Sequence, residues 1–142
     1  MIPEELISAA ITAREASYSP YSGFAVGAAL LTKSGVVYHG CNIENAAFTP
    51  TSCAERTAFA KAVSEGAREF TAIAVVGWKH DADTTTDGRG LAFPCGVCRQ
   101  VMMEFCDPES FRIIVATSPQ HYLVYTLAEI LPHGFGPADL EP

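Results

Sequence analysis

Two cysteines three residues apart, Cys95 and Cys98, stand in the run Pro94-Cys95-Gly96-Val97-Cys98. At the start of a helix, thiols at this spacing can face a single metal ion; the same spacing also serves redox pairs. A redox pair usually follows a strand directly, whereas a long polar stretch precedes this one. A second motif, Cys53-Ala54-Glu55-Arg56, sets a thiol and a carboxylate two apart, again where a helix should begin. By itself it reads as a buried cysteine and a first-turn glutamate favoured by the helix dipole.

Together the two segments say more. Both fall at helix N-termini that follow loops on the same edge of an α/β sheet, where such folds place ligands. Cys53, Cys95 and Cys98 would then hold one zinc and leave its fourth position open, the mark of a catalytic site. No fourth Cys or His has comparable spacing, and Cys41 and Cys106 lie in apolar runs that read as core. Three thiolates leave the ion with excess negative charge, which hinders ionisation of a bound water. Two helix N-termini offset that charge, and Arg56 can donate to thiolate sulfur. Glu55 is the natural proton carrier, with a pKa above that of free glutamate if a pocket closes over it.

The elements that must position these groups follow from periodicity. Pro3 suits a first helical turn, and Leu6, Ile7, Ala10, Ile11, Ala13 and Ala16 keep a helical rhythm up to the turn-rich Ser19-Pro20-Tyr21-Ser22-Gly23. Phe24 to Thr32 and Val36 to Cys41 read as a hairpin of strands around Lys33-Ser34-Gly35. Asn42 to Thr51 is a polar loop. Ser52 or Cys53 opens a second helix that Gly66 stops. Phe70 to Trp78 is a buried strand, Lys79 to Gly90 a polar loop, and Cys95 to Cys106 a third helix ended by Asp107-Pro108. Arg112 to Thr117 and Tyr122 to Leu127 complete the strands. The order implies a three-layer α/β/α sandwich on a mixed five-stranded sheet, with the crossovers making the later strands parallel.

The 142 residues suit one catalytic domain, 1–142, and 49% hydrophobic against 18% charged residues is a folding composition. A net charge of -7 makes polynucleotide a poor partner. With no signal-like start and no membrane-length apolar window, the chain reads as cytoplasmic, with its cysteines reduced and no membrane association.

A His or Cys followed by x-Glu and then Pro-Cys-x-x-Cys is the signature of zinc deaminases. Nearly the whole chain resembles the small homotetrameric cytidine deaminases of the cytidine/deoxycytidylate deaminase family. Ser19-Pro20-Tyr21-Ser22-Gly23-Phe24-Ala25-Val26-Gly27 is similar to that family's first-strand motif, and Gly40-Cys41-Asn42-Ile43-Glu44-Asn45 to its nucleoside loop. The two cysteine segments and the ending Leu131-Pro132-His133-Gly134-Phe135-Gly136 match as well.

The resemblance implies hydrolysis of cytidine and 2′-deoxycytidine to the uridine products with release of ammonia, one zinc per subunit, attack by zinc-bound hydroxide and Glu55 as proton shuttle. It also implies that Asn42 and Glu44 hold the ribose 3′-hydroxyl, that Phe24 flanks the pyrimidine, and that backbone around Ala54 reads the base edge. Phe135 would enter a neighbour's pocket in a homotetramer. Phe48 stands where the family often has Tyr, so a hydroxyl contact is lost there. The stretch Lys79–Ala92 is longer than usual, leads into the zinc-bearing helix and is expected to border the pocket, which suggests an effect on tolerance for modified cytidines. The alternatives are a deaminase of another small substrate, such as blasticidin S, and, from another class, a structural zinc-binding module; an enzyme editing single-stranded polynucleotides fits the acidic charge less well.

Overall fold

The computed structural model describes residues 1–81 and 90–141. Most of the Lys79–Ala92 stretch, with the role expected of it, lies outside the described residues.

The chain begins with α1, Pro3–Arg14, where Pro3 occupies the first turn and Leu6, Ile7, Ala10 and Ala13 form the buried stripe. Ala16 falls beyond the helix and is exposed. Next come β1 (Phe24–Thr32) and β2 (Val37–Cys41), an antiparallel pair turned at Ser34-Gly35. Then follow α2 (Ala54–Ser64), β3 (Phe70–Lys79) and α3 (Gly96–Phe105). Strands β4 (Arg112–Ser118) and β5 (His121–Thr126) lead into the short α4, Leu127–Ile130, capped by the Thr126 hydroxyl. A 3-10 turn at Pro137–Leu140 ends the described chain.

The five strands lie in the order β2-β1-β3-β4-β5. Only β3 and β4, joined through α3, are parallel. The expectation of parallel later strands fails at β5: it pairs antiparallel with β4, because Pro119 and Gln120 turn the chain with no crossover helix between. The mixed five-stranded sheet is otherwise as the sequence implies.

Period-two alternation sends side chains to two cores. Ala28 and Leu30 of β1, Ile73 and Val75 of β3, and Ile113 and Val115 of β4 meet α2 and α3 on one face. Ala29, Ala74, Val76, Trp78, Ile114 and Ala116 meet α1 on the other. Both faces are covered, so the central strands read as unbroken apolar runs. On the α2 and α3 side, Phe59 anchors an aromatic cluster, 5.1 Å edge-to-face from Phe70 and 6.1 Å from Phe105.

Two contacts fix the helices relative to the end of the sheet that carries the cysteines. Arg14, from the end of α1, donates to the carbonyls of Ala25 (3.0 Å) and Trp78 (2.8 Å) and stacks 4.3 Å from the Trp78 ring. On the other face, Gly40 lets the first turn of α2 rest on the backbone of β2. A Cβ at Gly40 would sit 2.2 Å from the Ala54 carbonyl oxygen and 2.6 Å from the Ala58 nitrogen.

Candidate active site

Cys53 and Cys95 are not first helical residues but N-caps, extended in backbone, of α2 and α3. Neither side chain accepts a capping hydrogen bond, so both sulfurs stay free of the helix ends they precede. Cys98 lies in the first turn of α3 and is buried. The sulfurs of Cys53 and Cys95 are 3.7 Å apart and those of Cys95 and Cys98 3.5 Å, and all three lie within 4.8 Å of one another. They are the only such cluster of His, Cys, Asp or Glu among the described residues. Cys41 and Cys106 stay outside it, and burial pushes the Cys106 thiol up to about 12.

The donor set suits a thiophilic ion such as zinc. A hydrogen bond from Cys98 and the neighbouring Arg56 hold the Cys53 thiol well below its ordinary range, while Cys98 is pushed up by donating to Cys53 and by burial. One thiolate thus forms readily beside a cation. Arg56 reaches the Cys53 sulfur through Nη2 at 3.6 Å and the Thr51 carbonyl at 3.0 Å. Its Nε is buried without a partner. An orphaned donor next to converging thiols fits a centre at which sulfur carries more negative charge than free thiols do.

Glu55, in the first turn of α2, is 4% exposed. Desolvation pushes its carboxyl up to about 7, against a hydrogen bond from its own backbone amide and with further upward pressure from Cys53. A carboxyl at that value exchanges protons in both directions near neutrality.

These groups open into a cavity of about 290 Å³. Phe24, Asn42, Cys53, Ala54, Glu55 and Cys95 line it, so the structure brings together six of the residues singled out from the sequence. Glu44 and Phe48 line a second cavity instead, with Tyr21, Ser22 and Asn45; Thr51 borders both. The Glu44 carboxylate accepts from the amides of Tyr21 (3.0 Å) and Ser22 (3.1 Å) and from the Ser22 hydroxyl. The Ser22 hydroxyl is the main cause of its lowered pKa. Phe48 has φ +62° and an exposed ring.

Phe135 lines neither cavity. Its carbonyl accepts from Gln100 Nε2 at 2.8 Å and its ring is 57% exposed. Ala92, from the stretch expected to border the pocket, and Phe93, which the sequence does not single out, also line the cavity. The available signal was position alone: Phe93 immediately precedes Pro94-Cys95, and its ring lies 5.8 Å from Tyr125.

Residues 2–114 match the family described as the cytidine and deoxycytidylate deaminase zinc-binding region. The chain belongs to that family. Among curated relatives, the cytidine deaminase of Sporosarcina psychrophila is 50% identical over 96% of this chain and 93% of its own length. That of Halalkalibacterium halodurans is 48% identical over 95% of each. A crystal structure of cytidine deaminase from Burkholderia pseudomallei superposes with a TM-score of 0.82 at 46% identity, covering 95% of this chain and all of that one. The zinc-binding character of the family and the cluster of Cys53, Cys95 and Cys98 agree on the cofactor, one zinc per subunit.

Proposed function

We propose that the protein hydrolyses cytidine and 2′-deoxycytidine to uridine and 2′-deoxyuridine, releasing ammonia. The observation that carries this reading is the buried Glu55 beside three converging thiols, in a cavity walled by Phe24 and Asn42. When bound, zinc supplies Lewis acidity that makes water a nucleophile near neutral pH.

The remaining chemistry falls to the chain. Glu55 takes a proton from the attacking water and delivers it to the pyrimidine N3, then moves the second to the departing amine. The C4–O bond forms as N3 gains the first proton, and the C4–N4 bond breaks only once the amine has gained the second, so water and substrate balance product and ammonia. Phe24 packs against the ring, and backbone groups at Ala54 read the base edge. Arg56 stabilises the Cys53 sulfur. Asn42 offers an amide to the sugar from the main cavity, and Glu44 an acceptor from the adjoining one.

The residues 1–142 act as one catalytic unit in a homotetramer. The exposed Phe135 ring, together with exposed Leu123 and Val124 on the edge strand β5, supports assembly with a neighbour's pocket in reach of Phe135. A centre built on three cysteines favours a reducing compartment, in keeping with a cytoplasmic enzyme. No helix among the described residues is long and apolar enough to cross a membrane.

The test is ammonia release from cytidine, deoxycytidine, N4-substituted cytidines, blasticidin S and single-stranded polynucleotide. Turnover of the first two supports the reading. Zinc content without turnover of any substrate refutes it.

A further inference from the structure

Asn42 is 8% exposed, and almost all of its amide is already engaged. Its Oδ1 accepts from the Val26 amide at 2.9 Å and from the Ser17 hydroxyl at 2.5 Å. Its Nδ2 donates to the Phe24 carbonyl at 2.8 Å. The Val26 amide can only donate and the Phe24 carbonyl can only accept, so the amide has one permitted orientation. One N–H of Nδ2 is left, and it is the group Asn42 can offer to the cavity.

The contacts continue outward. Ser17 Oγ lies 3.0 Å from Ser19 Oγ, and Ser19 Oγ lies 2.6 Å from Nε2 of His80. Proton counting fixes the direction of every link. Oδ1 has no proton, so Ser17 must give it its only one. Ser17 then has none for Ser19, and Ser19 must donate to Ser17. Ser19 in turn has none left for His80, so Nε2 must carry the proton and donate. Ser19 is 4% exposed, which keeps water from substituting cheaply within the chain. His80 itself is held by its backbone amide, which donates to the Gly23 carbonyl at 2.8 Å.

We propose that His80 is a positioning residue for nucleoside binding: through Ser19 and Ser17 it locks the Asn42 amide so that the free N–H points at the sugar. This rests on the assignment of Asn42 to the sugar made above. His80 stands at the end of β3, 38 residues beyond Asn42 in the chain, and lines neither cavity. Its effect therefore falls on ligand affinity and not on the reacting carbon.

The experiment compares the zinc-loaded wild-type protein with His80→Ala, His80→Gln, Asn42→Ala and the double variant His80→Ala/Asn42→Ala. It measures kcat and KM for cytidine and 3′-deoxycytidine, with a melting curve for each variant. His80→Ala should raise KM for cytidine roughly five-fold, as expected for the loss of one hydrogen bond, with kcat little changed. His80→Gln should restore KM, because its terminal amide places a donor near the position of Nε2. The effect of His80→Ala should vanish in the Asn42→Ala background and with 3′-deoxycytidine.

Equal effects of His80→Ala in both backgrounds, no rescue by His80→Gln, or a fall in kcat alone would overturn the relay while leaving Asn42 its role. An unchanged KM in Asn42→Ala would instead remove Asn42 from the sugar site, and the relay's purpose with it.

Discussion

Glu55→Gln should stabilise the metal-free protein at neutral and alkaline pH while disabling it. The carboxyl is 4% exposed, and burial raises it from an ordinary value of 4.5 to about 7. Below pH 4.5 both folded and unfolded chains carry the proton, and the glutamate costs nothing in stability. Between 4.5 and 7 the folded state keeps a proton that the unfolded chain has released, so stability falls as pH rises. Above 7 the full penalty applies. At about 1.4 kcal/mol for each tenfold change in proton affinity, the rise corresponds to about 3 kcal/mol.

Glutamine keeps the shape and an acceptor oxygen but never ionises. In chelator-treated protein, urea unfolding should show Glu55→Gln more stable than the parent by about 3 kcal/mol near pH 8, the difference shrinking towards pH 4.5. After zinc is restored, the same variant should lose on the order of a hundred- to ten-thousand-fold in kcat. A stability difference that does not vary with pH, or a parent more stable than the variant near pH 8, would refute the claim that desolvation dominates at this carboxyl.

Removing the metal with a chelator should abolish turnover, and zinc should restore it; Cys53→Ala, Cys95→Ala and Cys98→Ala should each lower zinc content below one per chain by elemental analysis. Gly40→Ala forces a Cβ against the Ala54 carbonyl, so the first turn of α2 must shift. A displacement of about 1 Å there should cost on the order of a hundred-fold in turnover, with a lower melting temperature. Phe59→Ala, which empties the centre of the aromatic cluster, should cost about 3–5 kcal/mol by denaturant titration.

The cysteine motifs were legible because both ligand segments are local: only Gly96 and Val97 separate Cys95 from Cys98, and Glu55 follows Cys53 on the same turn. The cores of β1, β3 and β4 were legible because alternation is a property of each strand alone. Where one short range did not suffice, the sequence said less. Antiparallel β5 turns on a two-residue link that strand periodicity does not weigh. Glu44 and Asn42 share one loop in the sequence, but the backbone directs them into different cavities. The chain from His80 to Asn42 joins three segments that no local pattern associates. Phe93 carries no signal in the sequence, because an apolar residue before Pro94 has no period to report.

Cys53 and Cys95 are 42 residues apart in sequence, yet their sulfurs lie 3.7 Å from each other. Bringing the ends of such a loop together in a random chain costs roughly 4 kcal/mol of conformational entropy. Here that cost is met during folding, by the pairing of β3 with β1 and the seating of α2 on β2. The ion then meets ligands already gathered, with close to a thousand-fold advantage in affinity over a chain that must close the loop on binding. Metal affinity in this protein is therefore a readout of the β1–β3 seam: a change that loosens the seam, however far from the thiols, should appear first as faster zinc loss.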